Sequence, residues 1–70
     1  MAGEARNRVR EARTAAGLTQ AQVAEQAYVS RQTVNAVESG RDAPSVYVAM
    51  RIAAVLGTTV EALFGVPDEG

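Results

Sequence analysis

Only three residues, Tyr28, Val29 and Ser30, separate two stretches of helical hydrophobic period in this chain. Upstream, Val23, Ala24 and Ala27 share one face of a helix predicted over residues 20–27. Downstream, Val34 and Val37 share one face of a helix predicted over residues 31–39. Thr19 is placed to cap the first helix, with Gln22 three residues on completing a capping box. Ser30 is placed to cap the second, and Gly40 to end it. Such a link is the tight turn that sets two helices across each other. Small Ala24 permits a close crossing.

The same signals mark three further helices. The first begins at Glu4 or Asn7 and runs to Ala16, with Ala5, Val9, Ala12 and Ala16 on one face and Gly17 as its stop. Leu18 follows as a core anchor. After a loop over residues 40–44, Ser45 caps a helix from Val46 to Leu56, stopped by Gly57. Its inward face is expected to be Val46, Ala49, Ile52, Ala53 and Leu56. Thr58 and Thr59 cap a short helix from Val60 to about Phe64, and Thr58 and Glu61 have capping-box spacing. No segment shows sustained strand alternation. The expectation is an all-α, five-helix bundle, one domain over residues 1–70 with an ordered core of about 5–66.

A chain of 70 residues buries a modest core, and short chains lean on staples or partners. This one has no cysteine and no histidine, so disulfides, thiolate sites and imidazole chemistry are out. No cofactor, metal or small-molecule ligand is expected. No enzyme is expected either: Ser30, Ser39 and Ser45 have no histidine base, and no carboxylate pair or glycine-rich phosphate loop is present. No apolar run is long enough to span a bilayer, and the first nine residues are too polar for a signal peptide, so a cytoplasmic place is expected. The net charge of −1 does not advertise a nucleic-acid partner, but its distribution is uneven. Residues 1–51 hold all seven arginines against five carboxylates, a net of +2, while residues 52–70 carry −3. A molecule polarised in this way can still turn a positive face to phosphate.

Residues 18–40, LTQAQVAEQAYVSRQTVNAVESG, resemble the helix-turn-helix of the phage-repressor or Cro type, the xenobiotic response element family. The likeness extends from about Asn7 to Phe64 and includes Gly17–Leu18–Thr19–Gln20, Val29–Ser30–Arg31–Gln32–Thr33–Val34, Glu38–Ser39–Gly40 and Leu56–Gly57. Physical chemistry accounts for the pattern. A helix entering the major groove by its leading turn needs polar base-readers there. Arg31 can meet guanine O6 and N7, and Gln32 or Asn35 can meet adenine N6 and N7. Arg31 and Asn35 are four residues apart and so share a face.

The resemblance implies further roles. Arg31, Gln32 and Asn35 are the expected base contacts, and Gln20, Ser30, Thr33, Ser39 and Arg41 the expected phosphate contacts. Arg13 and Glu38 match an ion pair that bridges the first and third helices. Each of these polar residues also has a plainer reading as a solvated side chain. Arg6, Arg8 and Arg10 are read as a solvated face. Two departures stand out. Tyr28 occupies the turn position where the family usually has glycine, and Ala12 and Ala27 stand where larger aliphatics are usual.

The helix from Val46 carries Arg51 as its only charge, more apolar surface than one core needs. Tyr47, Met50 and Ala54, with Phe64 and Val66, are left over as a candidate two-fold interface, the plainer reading being scattered surface apolars. The expected function is a sequence-specific regulator of transcription, a repressor, that binds double-stranded DNA as a homodimer on a pseudo-palindromic operator. The alternatives are the antitoxin of a toxin–antitoxin pair and a protein-interaction module that has lost DNA binding.

Overall fold

A computed structural model describes residues 7–65. Its elements are α1 (Val9–Ala15), α2 (Gln20–Ala27), α3 (Arg31–Glu38), α4 (Val46–Leu56) and α5 (Val60–Phe64), and no strand occurs among the described residues. No described helix is long and apolar enough to cross a membrane.

Local chemistry sets the helix starts. At α2 the capping box closes in both directions: the Gln22 N–H donates to Thr19 Oγ1 at 3.0 Å, and the Thr19 N–H donates to Gln22 Oε1 at 2.8 Å. Ser30 caps α3 and Ser45 caps α4 by accepting from the Thr33 and Val48 N–H groups. At α5 the expectation of a Thr58–Glu61 box is corrected. Gly57 turns left-handed at φ +69°, which brings the Thr58 N–H onto the Ala53 carbonyl at 3.0 Å. Thr58 thus completes the end of α4, and Thr59 alone caps α5 through the Ala62 N–H.

The start of α1 also differs from expectation: it begins at Val9, later than residues 4 or 7. Asn7 lies ahead of it, accepting from the Val9 N–H at 3.1 Å and donating to the Val37 carbonyl at 2.8 Å. Its amide therefore ties the entry of α1 to α3. Ala5 falls outside the described residues.

α2 packs chiefly on α3 and α4, while α1 lies against α3 and α5. One core cluster joins Val9, Ala27, Val37, Ile52, Ala53 and Leu63. A second, under the crossing of α2 and α3, joins Val23, Ala24 and Val34, with Leu18 packed beside it. Buried alanine on α2 is what lets the two helices approach this closely. Ala12 packs half-buried on the first cluster.

Val46 corrects the expected inward face of α4, being 69% exposed. It sits in the helix's first turn, at an open apolar groove of about 380 Å³ that it shares with Ala49, Val60 and Phe64. Among the described residues nothing covers Val46 there. Burial on α4 begins one turn later, with Ala49, Ile52 and Ala53.

Candidate nucleic-acid interface

α3 divides its residues by chemistry. Val34, Ala36 and Val37 are buried, while Arg31, Gln32 and Asn35 are exposed on the other side. Apolar anchoring behind and polar groups in front leave the leading turn free to meet a ligand. Beside it runs a cleft of about 830 Å³, walled by α3 and by the loop into α4 and lined in part by Gln20, Arg31, Gln32, Asn35 and Arg41. With Ser30 and Thr33 also in its lining, the structure brings seven of the eight predicted contact residues to one concave surface, all but Ser39.

The hydroxyls at the tip form a matched pair. Ser30 Oγ accepts from the Thr33 N–H at 3.0 Å and lies 2.9 Å from Thr33 Oγ1. Only one of the two hydroxyl protons lies between the oxygens, so the pair retains one proton for an outside acceptor. Ser39 is different: its hydroxyl donates to the Ala36 carbonyl at 3.1 Å, and its N–H to the Asn35 carbonyl at 3.0 Å. Ser39 therefore presents no free donor to a phosphate in this state. Arg41 is exposed, and its Nη2 donates to Asn35 Oδ1 at 3.3 Å.

Behind the exposed face of α3, Glu38 gathers three helices. Its side chain is fully buried. Arg13 Nε donates to Oε2 at 2.6 Å, and Arg13 Nη2 donates to Oε1 at 3.2 Å, a forked ion pair between α1 and α3. Arg13 Nη1 also donates to the Leu18 carbonyl at 2.9 Å. Gln20 Nε2 adds a bond to Glu38 Oε1 at 3.1 Å, and Arg10 Nε approaches the same oxygen at 3.4 Å. Burial pushes the Glu38 carboxyl up, but the Arg13, Gln20 and Arg10 donors outweigh it and hold the group below its ordinary value. The hydrogen bond to Glu38 raises Arg13 above its own. No buried side-chain polar atom among the described residues lacks a partner.

One of these contacts corrects the sequence reading and another adds to it. Arg10 is not simply part of a solvated face, since its guanidinium meets Glu38. The signal was present: Arg10 and Arg13 are three residues apart and share a helical face. Gln20 has one amide hydrogen on Glu38, which leaves the other for a phosphate.

Tyr28 ends α2 at φ +60°, ψ 42° with its side chain 84% exposed. The turn thus keeps the left-handed geometry that favours glycine and imposes it on an aromatic residue. On α4, Tyr47 and Met50 are 72% and 55% exposed, and Ala54 is exposed on the same side. Phe64 is half-buried and packs on the core, so only part of its ring remains for a partner. Val66 lies outside the described residues.

A family model for the helix-turn-helix matches residues 9–63, from the first residue of α1 into α5. An HTH-type transcriptional regulator of Methanothermobacter thermautotrophicus is 44% identical over 66 residues, 93% of this chain and 96% of that protein. Another, of Archaeoglobus fulgidus, is 39% identical over 64 residues, 91% of each chain. Among solved structures, the restriction-modification controller protein C.AhdI from Aeromonas hydrophila is similar with a TM-score of 0.75 at 33% identity, over 79% of this chain and 83% of that one. With both the sequence and the arrangement of its helices in common with these proteins, the chain belongs to the helix-turn-helix family of transcriptional regulators.

Proposed function

We propose that this protein is a cytoplasmic repressor that binds a pseudo-palindromic operator as a homodimer, with α3 in the major groove. The observation that carries the reading is the placement of Arg31, Gln32 and Asn35 together on the exposed side of α3, opposite buried Val34 and Val37. The major groove is wide enough for one helix, and these three side chains supply the donors and acceptors that distinguish base edges. Gln20, the Ser30–Thr33 hydroxyl pair and Arg41 flank them with donors suited to phosphate, which fixes register without reading sequence.

The exposed apolar side of α4 supports the dimer. Tyr47, Met50 and Ala54 form a stripe that a second copy would cover in an isologous contact. Such a dimer sets two recognition helices about 34 Å apart, one turn of B-DNA.

Selection of duplexes from a random pool, followed by a salt series on the enriched sequence, tests this reading. The expected result is a two-fold-symmetric motif whose affinity falls steeply as salt rises. Recovery of no motif, together with salt-independent weak binding, would remove DNA reading and leave a protein-binding role.

A further inference from the structure

Asn35 stands four residues beyond Arg31, and Arg41 lies just past the end of α3. Arg41 Nη2 reaches back to an oxygen of the Asn35 amide at 3.3 Å. A guanidinium has donors only, so chemistry requires the atom that faces it to be the carbonyl oxygen. The amide is therefore oriented, with Oδ1 towards the loop and Nδ2 on the other side of Cγ. Arg41 is itself held in place. Its N–H donates to the Ala36 carbonyl at 3.1 Å, and Gly40 ahead of it turns left-handed at φ +78°.

An asparagine reads adenine with both halves of its amide, donating to N7 and accepting from N6. Arg41 takes up one lone pair of the Asn35 oxygen and holds that oxygen turned towards the loop, whereas the donor half has no partner among the described residues. We infer that Arg41 is a positioning residue that sets the base preference of Asn35, holding its amide as a donor so that it selects guanine over adenine. The two hydrogens on Nδ2 match the two acceptors of guanine, N7 and O6. The remaining side-chain N–H groups of Arg41 have no partner among the described residues and can meet a phosphate, so one side chain fixes both a backbone contact and a base choice. This rests on the reading that α3 enters the major groove.

The test uses the full chain, the enriched operator and a panel in which every base pair is replaced in turn. Wild type, Arg41→Ala, Asn35→Ala and the double variant are compared. In the expected result, Arg41→Ala moves the preference at one base pair from guanine towards adenine by about tenfold. In the Asn35→Ala background the same change lowers affinity but leaves preference at that pair unaltered, because the effect passes through Asn35. A uniform loss of affinity with an unchanged profile would make Arg41 a phosphate contact only and overturn the inference. So would a shift in preference that survives without Asn35. A wild type that binds duplexes without preference overturns both this inference and the reading beneath it, whereas the first two outcomes overturn this inference alone.

Discussion

Arg13 Nε lies 2.6 Å from Glu38 Oε2, and the guanidinium that makes this contact also holds the Leu18 carbonyl at the end of the α1–α2 link. The Glu38 side chain is fully buried, and that of Arg13 is 14% exposed. Removal of one partner from such a pair leaves the other charged and without its mate, at a cost of about 3 kcal/mol. Glu38→Ala is expected to destabilise the fold by about that amount, which for a chain this small lowers Tm by more than about 10 °C. Thermal melts followed by far-UV circular dichroism check it. A loss of a few degrees at most would mean that water replaces the carboxylate at little cost.

Acid is expected to undo the same contact. Glu38 titrates below its ordinary range in the folded chain, so the folded state holds the negative charge where the unfolded chain starts to take up protons. Its stabilising contribution is complete above the ordinary carboxylate range and is lost as pH falls through the lowered value. Wild type should therefore lose more stability on acidification than Glu38→Gln, which has no such proton to gain. Melts between about pH 7 and about pH 3 give the comparison. Parallel declines in the two proteins would assign acid sensitivity to other carboxylates.

At Tyr28 the expected change is a gain. A left-handed non-glycine residue costs about 1–2 kcal/mol, and the extra freedom of glycine in the unfolded chain returns about 0.4–1 kcal/mol of that. Because the Tyr28 ring is exposed, Tyr28→Gly removes little packing. The variant should be more stable by about 0.5–1 kcal/mol in urea titrations. A less stable variant would show that the ring makes a stabilising contact which its exposure conceals.

Contacts with bases and with phosphates should separate in binding. Arg31→Ala is expected to cost about 1–3 kcal/mol on the preferred duplex and to relax preference at one position. Gln20→Ala should weaken all duplexes alike, and should also lower Tm slightly because its amide bonds Glu38. Equal weakening of every duplex by Arg31→Ala would move Arg31 to the phosphate group.

Charges placed on the α4 stripe test the assembly. Tyr47→Glu combined with Met50→Glu replaces only exposed residues, so helicity should persist while sedimentation shifts from dimer to monomer. Operator binding should fall with it, since two half-sites can no longer be engaged together. A variant that remains dimeric would place the interface elsewhere.

Much of this architecture is legible in the sequence because it is local. Thr19, Ser30 and Ser45 act on N–H groups three residues away, and Arg31 and Asn35 share a face by helical period alone. The turn at Tyr28 is legible only as a position where the family usually has glycine, and its left-handed φ of +60° comes from the structure. The less legible features depend on distant partners. Val46 carries the right period for burial, but no element covers it at the start of α4. Gln20 and Arg10 converge on Glu38 only once three helices have docked, and Ser39 turns its hydroxyl inward to the end of its own helix. Thr58 and Thr59 are interchangeable by pattern, and only the way α4 ends decides between them.

The buried carboxylate of Glu38 has a genetic corollary. Because it braces α3 from behind, the proposed function implies that lesions in α1 that never approach a duplex should disturb regulation as thoroughly as lesions in α3. A screen for lost regulation would then return substitutions at Arg13 beside those at Arg31, and only a folding assay would tell the two groups apart.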